Sequence, residues 1–196
     1  MDKPKIRRAR VQQKREVRIH SELWHTANCL LEAGQKDIKG STHQFRASLV
    51  FRAFFLEAFL NWLGQLIVPH WSYLERLKPK EKLDLLNGLI HVTPDYGSRP
   101  WQIVKELFAF RNDLAHGKPE ILLAESVEDV DGLLDGKLGH IPETEWEKFS
   151  TEENAVRAKK DVEAIANLLY KQSHVEHDGI QNPFSFGSKI SSATLE

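Results

Sequence analysis

The sequence predicts an all-α fold, an antiparallel bundle of about five helices with an acidic, irregular insert before the last one. Three observations carry this reading. Apolar residues recur at the helical period in long segments spread along the chain. Gly34, Pro69, Pro79, Pro100 and Gly117 stand at or near the ends of those segments, where such residues open or stop helices. The connections among the first four segments are short enough to join antiparallel neighbours.

The first helix is expected over residues 19–31, with Ile19, Leu23, Ala27 and Leu30 on one face and Gly34 past its end. Gly40-Ser41-Thr42 then breaks the chain before a second helix over 43–68, which Pro69 stops. Its apolar run, residues 49–68, is long enough to span a membrane. Arg52, Glu57, Asn61 and Gln65 interrupt that run, so it reads as a buried central helix instead. Residues 71–77 form a short turn, and Pro79 opens a third helix over 79–90. After a loop holding Pro94 and Gly97, Ser98 is the expected N-cap of a fourth helix over 100–116.

Composition changes between Glu120 and Glu153, where eleven acidic residues face only Lys137 and Lys148, a net charge of −9. Asp131-Gly132 and Asp135-Gly136 are turn signals there, compatible with a small hairpin or an irregular cap. The insert proper, residues 120–150, reads as a solvated loop, a shield over a neighbouring site, or a surface that holds a basic segment. The last helix is expected over 151–172, burying Ala155, Ala158, Val162, Ile165, Ala166 and Leu169. Residues 19–172 therefore make the helical domain, and 173–196 read as a polar tail. Residues 1–18 form a basic arm of eight cations, among them Arg7, Arg8, Arg10, Lys14 and Arg15, against Asp2 and Glu16, a net +6. Two readings of the arm stand side by side, salt-sensitive contact with RNA phosphates and a solvated end.

At 196 residues, 41% hydrophobic and 28% charged, the chain has the composition of one soluble globular domain. Its single cysteine, Cys29, rules out an internal disulfide framework and suits a reducing cytosol. Cys29 lies in the first helix and reads as a small core residue. The basic N-terminus has no apolar run after it, so no secretory signal is expected and the location reads as cytoplasmic. Neither a Gly-rich phosphate loop nor a serine nucleophile elbow occurs. His174 and His177 are three apart with no further ligand set, so no metal or cofactor is expected.

The chemistry concentrates where the fourth helix ends. Val104, Leu107, Phe108, Arg111 and Ala115 share one stripe, which sets Arg111 among core-facing residues and gives its guanidinium a need for a partner. On the second helix Arg46, Val50, Ala53, Glu57, Asn61 and Gly64 share a stripe. If that stripe faces the fourth helix, Glu57 pairs with Arg111 and Asn61 hydrogen-bonds nearby. Asn112 and His116 are four apart on one face, with His116 at the helix end and Gly117 free to close it.

The run Arg111-Asn112-x-x-x-His116-Gly117 at the end of an apolar helix resembles the signature of the HEPN superfamily. An upstream helix with Glu57-Ala58-Phe59-Leu60-Asn61, an intervening helix around residues 81–86 and a further amphipathic helix after the motif follow in the family's order. The resemblance covers roughly residues 20–172. It implies a HEPN-like bundle and an RNA-cleaving site in which Arg111, Asn112 and His116 are catalytic, with Glu57 and Asn61 supporting them. His116 then moves protons, Arg111 neutralises the charge developing on the phosphate, and Asn112 orients the phosphate or the imidazole. It further implies a homodimer through the motif helix, so that two motifs meet in one cleft and supply a second His116. The corresponding biology is phage defence, toxin-antitoxin control or RNA processing, with an antitoxin-like protein as a possible partner. The alternative is a non-catalytic HEPN-like module that binds RNA, a nucleotide or a protein.

Overall fold

A computed structural model describes residues 9–123, 142–175, 182–187 and 189–195. In chain order they form β1 (Ala9–Arg15), α1 (Ile19–Lys36), α2 (Ser41–Ile67), a single 3-10 turn (Trp71–Tyr73), α3 (Pro79–Leu89), α4 (Gln102–Ala115), α5 (Glu145–Phe149), α6 (Glu152–Gln172) and β2 (Lys189–Leu195). The fold is predominantly helical, as the sequence predicts. The two strands, which the sequence reading lacks, form an antiparallel ribbon.

The bundle is built around α2, which packs on α1, α3, α4 and α6. Large residues point from it in several directions, so Phe55, Leu56, Phe59, Leu60 and Leu63 are all wholly buried. Each such side chain contributes about 1.5–3 kcal/mol by leaving water. By length and hydropathy α2 alone among the described residues matches a membrane span, and the other helices cover more than half of that window. Arg52 is wholly buried on it, lying over the Trp24 ring at 3.9 Å and donating to Asn28 Oδ1. Burial pulls its guanidinium down to about 9, against the opposing charge of Glu163.

The buried face of α1 differs from the expected one. His20, Ser21, Trp24, Ala27, Leu31 and Gly34 face inward, while Ile19 is 63% exposed. The Trp24 ring decides the rotation, because it packs on Phe55 at 4.9 Å and buries more area than Ile19 or Leu23 would. Gly34 lies inside the helix rather than beyond it; a Cβ there would stand 2.6 Å from the Phe45 ring. Cys29 is exposed, not a core residue. Ser98 does not cap α4. Its hydroxyl donates to Asp95 at 2.8 Å, and only its backbone carbonyl accepts the Gln102 N–H. Gly64 lets the indole of Trp71, not the motif helix, approach α2, since a Cβ there would meet that ring at 2.3 Å.

α6 buries all six residues expected of it, and Arg99 grips its Asp161 with two nitrogens at 2.7 and 3.0 Å. Of the acidic insert, residues 124–141 and their two Asp-Gly turn signals lie outside the described residues. Its end forms α5, where the Thr144 hydroxyl accepts the Glu147 N–H and the Glu147 carboxylate accepts from Thr144. Arg46 from α2 lies over the Trp146 ring at 4.6 Å, which ties this short helix to the bundle.

After α6, residues 182–187 are anchored on the bundle. Phe184 inserts between Trp24 and Phe55, at 4.3 and 5.6 Å between ring centres, and Phe186 stacks on His25 at 4.3 Å. Ser21 donates its hydroxyl to the Ser185 carbonyl at 2.8 Å, and His20 Nε2 donates to the Pro183 carbonyl at 3.1 Å. A Cβ at Gly187 would meet the Glu16 carbonyl at 2.2 Å, so this close crossing of arm and tail needs glycine. β2 then pairs with β1 from Arg15↔Lys189 to Ala9↔Leu195.

His20 gives this anchor a pH dependence. Burial, reinforced by nearby Arg18, holds its imidazole down at about 4 against 6.5 in the unfolded chain; the Pro183 carbonyl and Glu16 oppose this in part. Between those values the unfolded state binds the extra proton, so stability is full above pH 6.5 and falls as the pH drops toward 4. The expected loss is about 3 kcal/mol. Denaturant melts of wild type and His20→Gln at pH 7.5 and 4.5 check this: the variant should lose markedly less stability on acidification. Equal losses would refute it.

Candidate functional site

Three helices bring the charged residues together. Glu57 sits on the side of α2 that faces α4, one turn beyond buried Ala53, and α4 returns Arg111 to the same level. Arg111 Nη2 donates to Glu57 Oε2 at 2.7 Å, the pairing the two stripes predict. The guanidinium is half-buried, its Nε is buried without a hydrogen-bond partner, and its Cζ lies 6.0 and 5.8 Å from the Phe54 and Phe108 ring centres. Asn61 is one turn further along α2, but its Oδ1 is buried and makes no hydrogen bond, contrary to the expectation.

A third charged residue is absent from the sequence reading. Lys82 of α3 is 1% exposed, and its Nζ lies 3.9 Å from the other oxygen of Glu57. The carboxylate therefore stands between two cations, and the cluster carries a net +1. The signal was in the pattern: Lys82 is four residues from Leu86 and shares its buried stripe.

Asn112 and His116 occupy the exposed side of the same helix end. His116 is the C-cap of α4, and its backbone N–H donates to the Asn112 carbonyl at 2.9 Å. Neither side chain hydrogen-bonds another described residue, so both are open to solvent. The motif thus has two faces, one fixed on Glu57 and one presented outward. Just past it a cleft of about 480 Å³ lies between Gly117 and Lys118 on one side and Thr144 and Trp146 on the other. Through this cleft the described ends of the acidic segment, residues 120–123 and 142–150, lie beside Gly117. Asp113, Glu120 and Glu147 at its edge make the cleft acidic.

No family model, curated protein or solved structure matches the chain.

Of the proposed RNA-contacting residues, Arg10, Lys14 and Arg15 lie exposed on β1, distributed over both faces of the ribbon, while Arg7 and Arg8 fall outside the described residues. Arg15 approaches Glu22 of α1 at 3.9 Å. Among the described residues no group of three or more His, Cys, Asp or Glu side chains is placed to hold a metal.

Proposed function

We propose that the chain is a HEPN-like, metal-independent endoribonuclease that cleaves RNA by transesterification at its 2′-hydroxyl. The observation that carries the reading is the two-faced motif: Arg111 is held by a carboxylate inside the bundle, and the exposed Asn112 and His116 stand on the same helix end. A cation fixed in orientation suits the charge that develops on a phosphorane, and an exposed imidazole suits proton transfer. One imidazole takes the 2′-hydroxyl proton as O2′ attacks phosphorus. A protonated imidazole gives its proton to the 5′-oxygen as the P–O5′ bond breaks. The products are a 2′,3′-cyclic phosphate and a 5′-hydroxyl.

One His116 does not fill both roles at once, so the complete site is a homodimer with two motif helices in one cleft. Beside the motif Phe54 is 40% exposed, next to the partly exposed Phe51 and Phe108, which offers an apolar face for a second copy. On this reading the protein works in the cytoplasm, in defence or toxin-antitoxin control, with RNA as substrate and an antitoxin-like protein as a candidate regulator. Incubating the purified chain with end-labelled mixed RNA in EDTA tests it. Fragments ending in cyclic phosphate are the expected result. RNA that is bound but left intact would favour the non-catalytic module.

A further inference from the structure

The Arg111–Glu57 pair on its own is neutral, and a neutral pair is a poor receptor for a phosphate. Glu57 is not on its own, however. Its Oε2 takes Arg111 at 2.7 Å while Lys82 stands 3.9 Å from Oε1. Lys82 is 1% exposed, too deeply buried to touch a substrate, and it comes from α3, which carries no motif residue.

We propose that Lys82 is a positioning residue that balances the charge of Glu57 and so leaves Arg111 able to receive an oxyanion, the phosphodiester of RNA in the reading above, on which this inference rests. Two cations on one carboxylate keep a positive charge at the half-buried guanidinium, which the carboxylate still orients. Arg111 is the outer of the two cations, flanked by Phe54 and Phe108. Water screens it less there than a surface arginine, so the surplus charge acts strongly on a nearby anion. Glu57 thereby gives direction and Lys82 gives charge. A lysine that served only to hold α3 on α2 would not act through the charge of Glu57, and that difference is measurable.

The test is titration of the full chain with inorganic phosphate, followed at the Arg111 Nε–Hε NMR signal, in wild type, Lys82→Met, Lys82→Gln and Lys82→Arg. Lys82→Met should weaken phosphate binding about tenfold. Lys82→Gln should weaken it similarly, and Lys82→Arg should recover it to within about threefold. In a Glu57→Gln background, Lys82→Met should have almost no effect, because the charge it balances is gone. A folded Lys82→Met or Lys82→Gln protein that titrates like wild type overturns the inference, as does a Lys82→Met loss of the same size with Glu57→Gln present. Lys82-dependent phosphate binding in a chain that leaves RNA intact would sink the nuclease reading alone. RNA cleaved equally by wild type and Lys82→Met would sink this inference alone.

Discussion

His116→Ala is expected to lower RNA cleavage by about 100-fold or more, the usual contribution of a positioned acid or base. Stability should hardly change. The imidazole is exposed and bonds no described side chain, and the backbone N–H that closes the last turn of α4 is kept by alanine. The φ of −116° at this residue is open to any side chain. The variant should therefore melt within about 2 °C of wild type, since changes at exposed sites are small. Initial rates on one labelled RNA, with melting curves on the same preparations, separate the possibilities. A rate within threefold of wild type would remove His116 from the chemistry.

Phe184→Ala should cost about 3 kcal/mol, near the lower end for truncating a buried phenylalanine because the ring is 8% exposed. The lost contacts are those to Trp24 and Phe55, and with them goes the wedge that holds the Pro183 and Ser185 carbonyls on His20 and Ser21. The tail should then become susceptible to protease at low concentration, and Trp24 emission should change. The Arg111–Glu57 pair lies across α2 from this anchor, so the cleavage rate per folded molecule should stay the same. A stability loss under about 1 kcal/mol would mean that the tail adds little to the bundle.

The helical segments were legible because each carries its own signal. Pro69 and Pro79 bracket the ends of α2 and α3, and the six apolar residues of α6 repeat at the helical period. The Arg111–Glu57 pair was legible for the same reason: an arginine on a buried stripe requires a carboxylate, and the facing stripe holds one. Lys82 was missed because a lysine in a charged, exposed-looking helix reads as surface until its position relative to Leu86 is counted. The ribbon and the anchor of Phe184 were invisible to local reasoning. Ala9–Arg15 and Lys189–Leu195 are far apart in sequence, and neither has the apolar alternation that marks a half-buried strand. Their pairing accompanies the seating of Phe184 on Trp24 and Phe55, a long-range contact that no local pattern encodes. The rotation of α1 was missed because Trp24, which turns inward onto Phe55 and Phe184, has both its partners far away in sequence.

The most direct measurement uses DNA strands that carry a single ribonucleotide, one strand for each base, incubated with the wild-type chain in EDTA. A cut is expected only on the 3′ side of the ribonucleotide, leaving a 2′,3′-cyclic phosphate and a 5′-hydroxyl, with no cut in an all-DNA strand. Strands left intact at every position, cleavage of the all-DNA strand, or products ending in 3′-hydroxyl and 5′-phosphate would contradict it.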